Sequence, residues 1–430
     1  MKRIEIDVNV VKSSGCSVER TYLWASSLAG LSLLLVGIGL GRFAYPPLIP
    51  ALVEQHWFTV GQADYLAAIN LAGYVIGAFV AGKFANRISA TWYLRIAMLV
   101  VAAGFFACVK PAGLTWFSLW RLSAGIAAGF LMVLGVPAII AKTPAEYRGR
   151  LGGVIFAGVG LGTVFAGTII PLVVRHSLTA AWATVGLVIL VPTSLSWPYW
   201  SKHKHFSLPP DTLQRGPAVR VNRTLVLLVA AYCTDAIGSV PHLIFWVDFI
   251  TRKLGLGLTV GGCYWTLLGI SAAAGPVIMG MIADRFGMQR SLRWSFLAMA
   301  CSVALPLFST RTWSLVMSSA GEGLLSMGIT SLASGRVSEL VPASAQKQVW
   351  GWMTVGFSVS YAGAALGLSA IFAHIHSFRL MFAIGSLVLA AGFVFSLLSS
   401  RIALDQQSAA VVNAAVGNIR RRCDDKSTNS

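Results

Sequence analysis

Long apolar runs alternate with short polar segments along nearly the whole chain. A run of about 20 apolar residues is long enough to cross the hydrocarbon core of a bilayer as a helix. Twelve such runs are predicted, at 22–52, 64–85, 94–110, 113–141, 150–173, 178–200, 222–250, 260–283, 291–309, 312–338, 348–373 and 378–400. The pattern predicts an all-α membrane protein with twelve transmembrane helices.

A short sequence motif, called here the loop phrase, ends the second apolar run and recurs at the end of the eighth. Gly-Lys-Phe-Ala-Asn-Arg at 82–87 corresponds to Gly-Met-Ile-Ala-Asp-Arg at 280–285, and a Thr-Val-Gly tripeptide precedes each, at 59–61 and 259–261. A chain that repeats itself in this way is a duplicated unit, and two such membrane units commonly enclose a transport pathway. We therefore predict two pseudo-symmetric six-helix bundles.

The polar segments divide the chain into five parts. The two bundles are predicted at 22–200 and 222–400, joined by a cytoplasmic linker at 201–221 that is rich in proline and basic residues. A polar N-terminal segment covers 1–21, and a polar tail covers 401–430. The composition of the tail predicts that it is disordered and cytoplasmic.

Composition and charge support a membrane protein and argue against a nucleic-acid partner. Hydrophobic residues make up 56% of the chain and charged residues 11%, whereas soluble domains carry about 25% charged residues. The formal net charge is +18, but the basic residues are distributed loop by loop and form no patch for nucleic acid. Most of them lie in the segments on the side of the N terminus, which predicts that both termini are cytoplasmic.

The six cysteines show neither a disulfide pattern nor metal-ligand spacing. An enzyme would need a nucleophile, a metal set or a His/Asp constellation at one membrane depth, and the sequence offers none of these. We expect no metal, no cofactor and no enzymatic activity.

The repeated loop phrase and the helix pattern resemble the major facilitator superfamily over residues 20–400. The stretches at 41–47, 232–238 and 245–248 further resemble the YbfB/YjiJ-type branch of that superfamily. The resemblance implies a secondary transporter that works by alternating access in the inner membrane of a bacterium. It also implies a monomer whose partners are a small solute, protons and the lipid bilayer.

In the superfamily the repeated loop is implied to act as a gate that stabilises the outward-facing state. The first copy departs from the family pattern, because an asparagine replaces the acid and Ser89 stands where glycine is usual. The gating residues predicted by the resemblance are Gly82, Asn86, Arg87, Gly280, Asp284 and Arg285. The alternative is that both loops only set the topology.

Four ionisable residues inside the predicted spans are candidates for the transport chemistry, because a charge in the membrane interior is costly and is often functional. Arg121 shares a helix face with two glycines, which resembles a superfamily motif proposed to act in proton coupling; the alternative is that its side chain extends to the outer surface. Asp235 and Glu322 are the candidate proton-coupling carboxyls, and Arg42 is a candidate site for an anionic substrate. Structural ion pairs, Arg42 with Asp235 or Arg121 with Glu322, are an equally weighted alternative.

Aromatic and polar residues near these charges complete the predicted substrate site. With Arg42 they are Tyr45, Asn70, Tyr74, His242, Trp246, Trp265 and Tyr361. The sequence thus predicts a proton-coupled transporter of a small organic solute, with an anion as the first expectation. The alternatives are an exporter of drugs or lipophilic cations and a membrane sensor that binds solute without moving it.

Overall fold

The computed structural model describes residues 23–84, 90–141, 143, 148–202 and 222–400, and within them the chain forms helices joined by short turns, with no strand. The first half of the chain forms Leu23–Leu40 (α1), Val60–Phe84 (α2), Ala90–Ala107 (α3), Leu114–Phe130 (α4), Arg148–Val174 (α5) and Leu178–Lys202 (α6). The second half forms Arg223–Gly238 (α7), Gly257–Phe286 (α8), Met288–Phe308 (α9), Thr312–Leu340 (α10), Ala343–Ile375 (α11) and Phe378–Ser400 (α12).

The predicted all-α membrane architecture is confirmed, whereas the number of twelve spans is not. Ten helices of the described residues are long and apolar enough to cross a membrane. Thr91–Ala107 in α3 is apolar but shorter, and α10 is outside the ten. The segments 1–21 and 401–430, and all but the first two residues of the linker, lie outside the described residues.

Helices α1 and α7 occupy equivalent places in the two halves, and both are interrupted. A π-helical turn, Leu35–Leu40, ends α1, and a bend at 41–45 precedes Pro46–Leu48 and Ile49–Glu54. The interruption of α1 therefore begins ahead of Pro46. α7 continues through Pro241–Phe245, Trp246–Asp248 and Phe249–Lys253, of which the first and last are π-helical. Such interruptions often occur at functional sites, because they free backbone groups and redirect side chains.

The repeat seen in the sequence recurs in the packing of helices within each half. α2 packs on α4 as α8 packs on α10, and glycines let each pair of backbones touch. A Cβ atom added at Gly125 would lie 2.0 Å from the carbonyl oxygen of Asn70, and one at Gly323 would lie 2.1 Å from that of Leu268. Both partners in the second contact lie 198 positions after their counterparts (323 minus 125, 268 minus 70). Such close approaches are the usual way in which membrane helices associate.

The two halves meet at the side where α1 ends and α2 begins, which the charge distribution predicts to be the outer side. There α5 packs on α8: a Cβ at Gly167 would lie 2.5 Å from the carbonyl oxygen of Gly262. α2 packs on α11, where a Cβ at Gly61 would lie 3.0 Å from the Cβ of Ala373. The structure is therefore closed on the predicted outer side.

On the predicted cytoplasmic side the same two helices, α5 and α8, separate. In the membrane centre a Cβ at Gly160 would lie 2.9 Å from that of Ala273. Gly153 and Gly280 each lie seven residues nearer the predicted cytoplasmic side. A Cβ atom added at either glycine would have no described atom of another element within 4 Å. Within the described residues, α5 and α8 thus diverge towards the predicted cytoplasmic side, and the conformation is open between these two helices there.

Paired cysteines test this conformation. In a background with the native cysteines replaced, Gly61→Cys with Ala373→Cys should form a disulfide on mild oxidation, because the two Cβ positions are 3.0 Å apart and disulfides need about 3.8 Å. Peptide mass spectrometry measures the cross-link. The control pair, Gly153→Cys with Gly280→Cys, should remain reduced. Rapid cross-linking of the control pair alone would show that the resting state is closed on the opposite side.

Candidate functional site

Arg42 stands at the bend after α1, between the two halves. Its guanidinium lies 4.2 Å from the ring centroid of Tyr361 on α11 and 5.2 Å from that of Phe43. Tyr74 on α2 lies within electrostatic reach of the same cation. A cation over an aromatic face is stabilised by the ring quadrupole, so a side chain of the first half is held by one of the second. Three predicted substrate residues, Arg42, Tyr74 and Tyr361, are thereby brought together.

A column of aromatic rings leads from Tyr361 towards the predicted cytoplasmic side. Phe357 stacks on Tyr361, with centroids 6.2 Å apart and an angle of 8° between the planes. Tyr232 on α7 lies 4.9 Å from Phe357 and 5.8 Å from Trp350. We call these four residues the aromatic column. The members on α11 are spaced by seven and four residues. This spacing places them on one helix face, so the sequence carries a signal for the column.

Asp235 on α7 and Glu322 on α10 form an acid pair in the interior of the second half. Both side chains are 0% exposed, and the two carboxyls are close enough to repel each other. The hydroxyl group of Ser239 is near both, yet no carboxyl oxygen of the pair has a hydrogen bond of acceptable geometry among the described residues. An ionised carboxylate without a partner at this depth costs about 3 kcal/mol.

The predicted ion pairs between the halves are not formed in this conformation. The described residues contain two salt bridges, Arg252 with Asp248 and Arg336 with Glu339. Neither involves Arg42, Arg121 or the acid pair. The alternative of structural ion pairs, Arg42 with Asp235 or Arg121 with Glu322, is therefore not the arrangement seen in this conformation.

Arg121 on α4 is 3% exposed and lies inside the first half, so its side chain does not extend to the outer surface. Its guanidinium lies 4.3 Å from the ring centroid of Tyr45, and its Nη1 donates to the carbonyl oxygen of Gly41 at 3.1 Å. The Nδ2 of Asn70 donates to the Arg121 carbonyl oxygen at 2.8 Å. Arg121, Tyr45 and Asn70 thus contact one another through Arg121, and these contacts stabilise the bend after α1. Arg42 is near enough for the two cations to repel each other.

His242 and Trp246 stack on each other within the second half, with centroids 4.4 Å apart. The hydroxyl of Ser318 donates to the carbonyl oxygen of Ser302 at 2.7 Å, so it accepts from the Nε2–H of His242 at 2.8 Å. The indole of Trp246 donates to Ser319 at 2.8 Å. These bonds join α7 to α10, and no contact among the described residues links either ring to Arg42.

Trp265 lies where the halves meet on the predicted outer side. Its indole nitrogen donates to the carbonyl oxygen of Phe43 at 3.1 Å, and the two rings meet edge to face at 6.0 Å. It therefore contacts the residue next to Arg42 without contacting Arg42 itself. Trp265 therefore fills the space between the two halves on the predicted outer side.

The second copy of the predicted gate forms no ion pair among the described residues. Gly280 faces open space, and both Asp284 and Arg285 are exposed in the last turn of α8 without an ion pair to any described residue. Gly82 lies in the last turn of α2, while Asn86 and Arg87 lie outside the described residues. The gating role stays a prediction.

Comparison with known proteins gives one family and several distant relatives. Residues 34–397 match the family described as "Uncharacterised MFS-type transporter YbfB". A putative metabolite transport protein of Haemophilus influenzae is 23% identical over 61% of this chain and 66% of its own length. The 4-hydroxybenzoate transporter PcaK of Acinetobacter baylyi is 23% identical over 64% of this chain and 69% of its own length. A gallate transporter of Pseudomonas putida is 22% identical over 87% of this chain and 88% of its own length.

The hydrogen bonds of His242 predict the effect of a single truncation. Ser318→Ala should lower the free energy of unfolding by about 1–3 kcal/mol, because a buried imidazole N–H loses its acceptor. The apparent melting temperature of the purified protein in detergent measures the loss. Ser338→Ala on the same helix is the control, since that hydroxyl is exposed and bonds to the carbonyl oxygen of Gly335 in its own helix. Equal melting temperatures for the two variants would contradict the proposed bond.

Proposed function

This chain belongs to the YbfB-type family of major facilitator transporters, and on that basis we propose that it carries small aromatic carboxylates together with protons. Family membership makes it an integral membrane transporter and not an enzyme. The observation that carries the proposal is Arg42, a cation placed between the two halves and resting on an aromatic ring of the opposite half. Substrate bound there is in contact with both halves, as alternating access requires.

Arg42 supplies the carboxylate-binding group of this proposed site. A guanidinium binds a carboxylate through two parallel N–H···O bonds, and Arg121 adds positive charge nearby. Below Arg42, the half-buried ring of Phe357 in the aromatic column would contact a flat ring, since aromatic rings prefer offset or edge-to-face contact with one another. A benzoate-like molecule matches both features.

The named substrates of two relatives agree with this chemistry. One relative is called a 4-hydroxybenzoate transporter and another a gallate transporter, and both compounds are aromatic carboxylic acids. At 22–23% identity the relatives support a substrate class for this chain and not an individual substrate.

The acid pair is the proposed site of proton coupling. Asp235 and Glu322 repel each other and lie away from any described cation partner. Proton uptake offsets the cost of an ionised carboxylate in the membrane interior, so a proton bound there stabilises the conformation in which the pair is buried. Tyr361 is close enough to interact electrostatically with both Arg42 and Glu322. It therefore lies between the proposed substrate site and the proposed proton site.

Alternating access then consists of closing the predicted cytoplasmic side and opening the outer one. We infer that Gly153 and Gly280 come into contact in that second state, because they continue the glycine contacts of α5 with α8. The gate predicted from the repeated phrase would act in the state that is not seen here.

A lipophilic cation is the second candidate substrate. Two buried carboxyls without a cation partner, next to the aromatic column, are also the groups that bind an organic cation. An aromatic carboxylate would need Arg42 for binding, whereas an organic cation would need the acid pair. The following substitutions distinguish the two classes.

Arg42 is tested by ligand-induced thermal stabilisation, because a ligand that binds the folded state raises its stability. Benzoate, 4-hydroxybenzoate and gallate should stabilise the wild-type protein. Arg42→Gln should weaken binding about 10- to 100-fold, as expected for the loss of a charged hydrogen bond, and Arg42→Lys should weaken it less. Arg311→Gln, at an exposed arginine on the predicted outer side, is the control. Stabilisation by tetraphenylphosphonium alone, undiminished in Arg42→Gln, would favour the cation exporter.

Asp235→Asn and Glu322→Gln test the proton site in proteoliposomes. At least one of the two should abolish accumulation of labelled benzoate driven by a pH gradient while preserving exchange of labelled for unlabelled benzoate, because exchange needs no net proton movement. Glu339→Gln, an exposed acid at the end of the same helix α10, should retain both. Wild-type accumulation in both variants would show that coupling resides elsewhere.

A further inference from the structure

A second group of buried charges lies at the predicted outer side, where the halves meet, and the sequence did not reveal it. Asp64 on α2 belongs to the first half, and Asp248 and Arg252 belong to the continuation of α7 in the second. Asp64 is 0% exposed, and neither of its carboxyl oxygens has a hydrogen-bond partner among the described residues. It is nevertheless close enough to interact electrostatically with both Asp248 and Arg252.

The contacts between the elements show that this group lies within the closed contact surface. The segment Trp246–Asp248 packs against the short helix Ile49–Glu54 of the first half. Beside Asp64, the hydroxyl of Tyr45 donates to the carbonyl oxygen of Ala63 at 2.9 Å and so is not available to Asp64. The carboxyl is therefore enclosed when the outer side is closed.

The charges around Asp64 do not balance if it is ionised. Arg252 is already paired with Asp248 through an i,i+4 salt bridge and also faces the exposed Glu54. Arg121 lies against the ring of Tyr45, and among the described residues Arg252 is the cation close enough to interact with Asp64. Three carboxyl groups thus share one neighbouring guanidinium. An additional negative charge here would meet like charges and have no donor to stabilise it.

We propose that Asp64 is a proton site of the outer gate, and that the halves close on the outer side only when this carboxyl carries a proton. When the outer side opens, water reaches Asp64 and the ionised form is stabilised. When it closes, the carboxyl returns to the enclosed position, which favours the neutral form. An acidic outer solution therefore promotes closure, and an alkaline one holds the gate open. This inference goes beyond the proposed function, because it requires neither the substrate nor the acid pair.

The cysteine pair at Gly61 and Ala373 reports closure of this gate and needs no substrate. In the same background with the native cysteines replaced and Asp64 unchanged, cross-linking should be faster at about pH 5.5 than at about pH 8.5 by at least about fivefold, after correction for thiol reactivity with a model peptide. In Asp64→Asn the neutral side chain should keep cross-linking fast at both pH values. Asp64→Glu, which keeps a carboxyl, should retain a pH dependence.

Matched variants keep the test specific. Glu54→Gln removes an exposed acid of the same group and should retain the wild-type pH response. Asp235→Asn should retain it too, so failure of the proposed substrate coupling would not affect this result. Because Gly61 lies close to Asp64 in the chain, hydrogen exchange of the outer end of α8 at the two pH values serves as an independent reporter.

Two results would overturn the inference. One is an equal pH response in the wild-type protein and Asp64→Asn, with both reporters. The other is an outer side that opens in Asp64→Asn at every pH, since a neutral side chain would then be unable to support closure.

Discussion

The cost of an ionised side chain in the membrane interior is the constraint on which this protein depends. Each such group must be paired, shared with an aromatic ring or neutralised. Arg121 is satisfied within its own half, by the Gly41 carbonyl and the ring of Tyr45. Arg42 lies over the ring of Tyr361 across the boundary between the halves and, less closely, over the ring of Phe43 in its own half. Of these two cations, Arg42 is therefore the one better placed to respond to substrate.

Close backbone contacts allow these charges to move between two environments. Glycines on α5 and α8 let the halves approach on the predicted outer side and diverge beyond Gly160 and Ala273. Contacts of this kind depend on shape and not on specific side-chain bonds, so they can be made and broken at small cost. The contacts of α2 with α4 and of α8 with α10 lie within one half each and do not cross the boundary between the halves.

The proposed proton sites and the proposed substrate site are separate in space: Asp64 and Arg42 lie at the boundary between the halves, and the acid pair lies inside the second half. Asp64 lies where the outer contact closes, while Glu322 lies deeper and reaches Tyr361 electrostatically. A change in charge at either depth alters the relative stability of the two conformations, and linkage requires that conformation in turn alter proton binding. A single boundary can thus couple protons and substrate without direct contact between them.

The sequence by itself determined the family, the helical membrane fold and the duplication, because bilayer length and hydrophobic patterning act locally and the loop phrase is short. It also predicted Arg42, Tyr74 and Tyr361 as candidate substrate residues, and the structure places these side chains near one another. Only the tertiary structure decided that the acid pair has no cation partner among the described residues, that His242 bonds within its own half, and that Asp64 is enclosed. These properties depend on contacts between helices far apart in the chain, and periodicity along one helix carries no information about its neighbours.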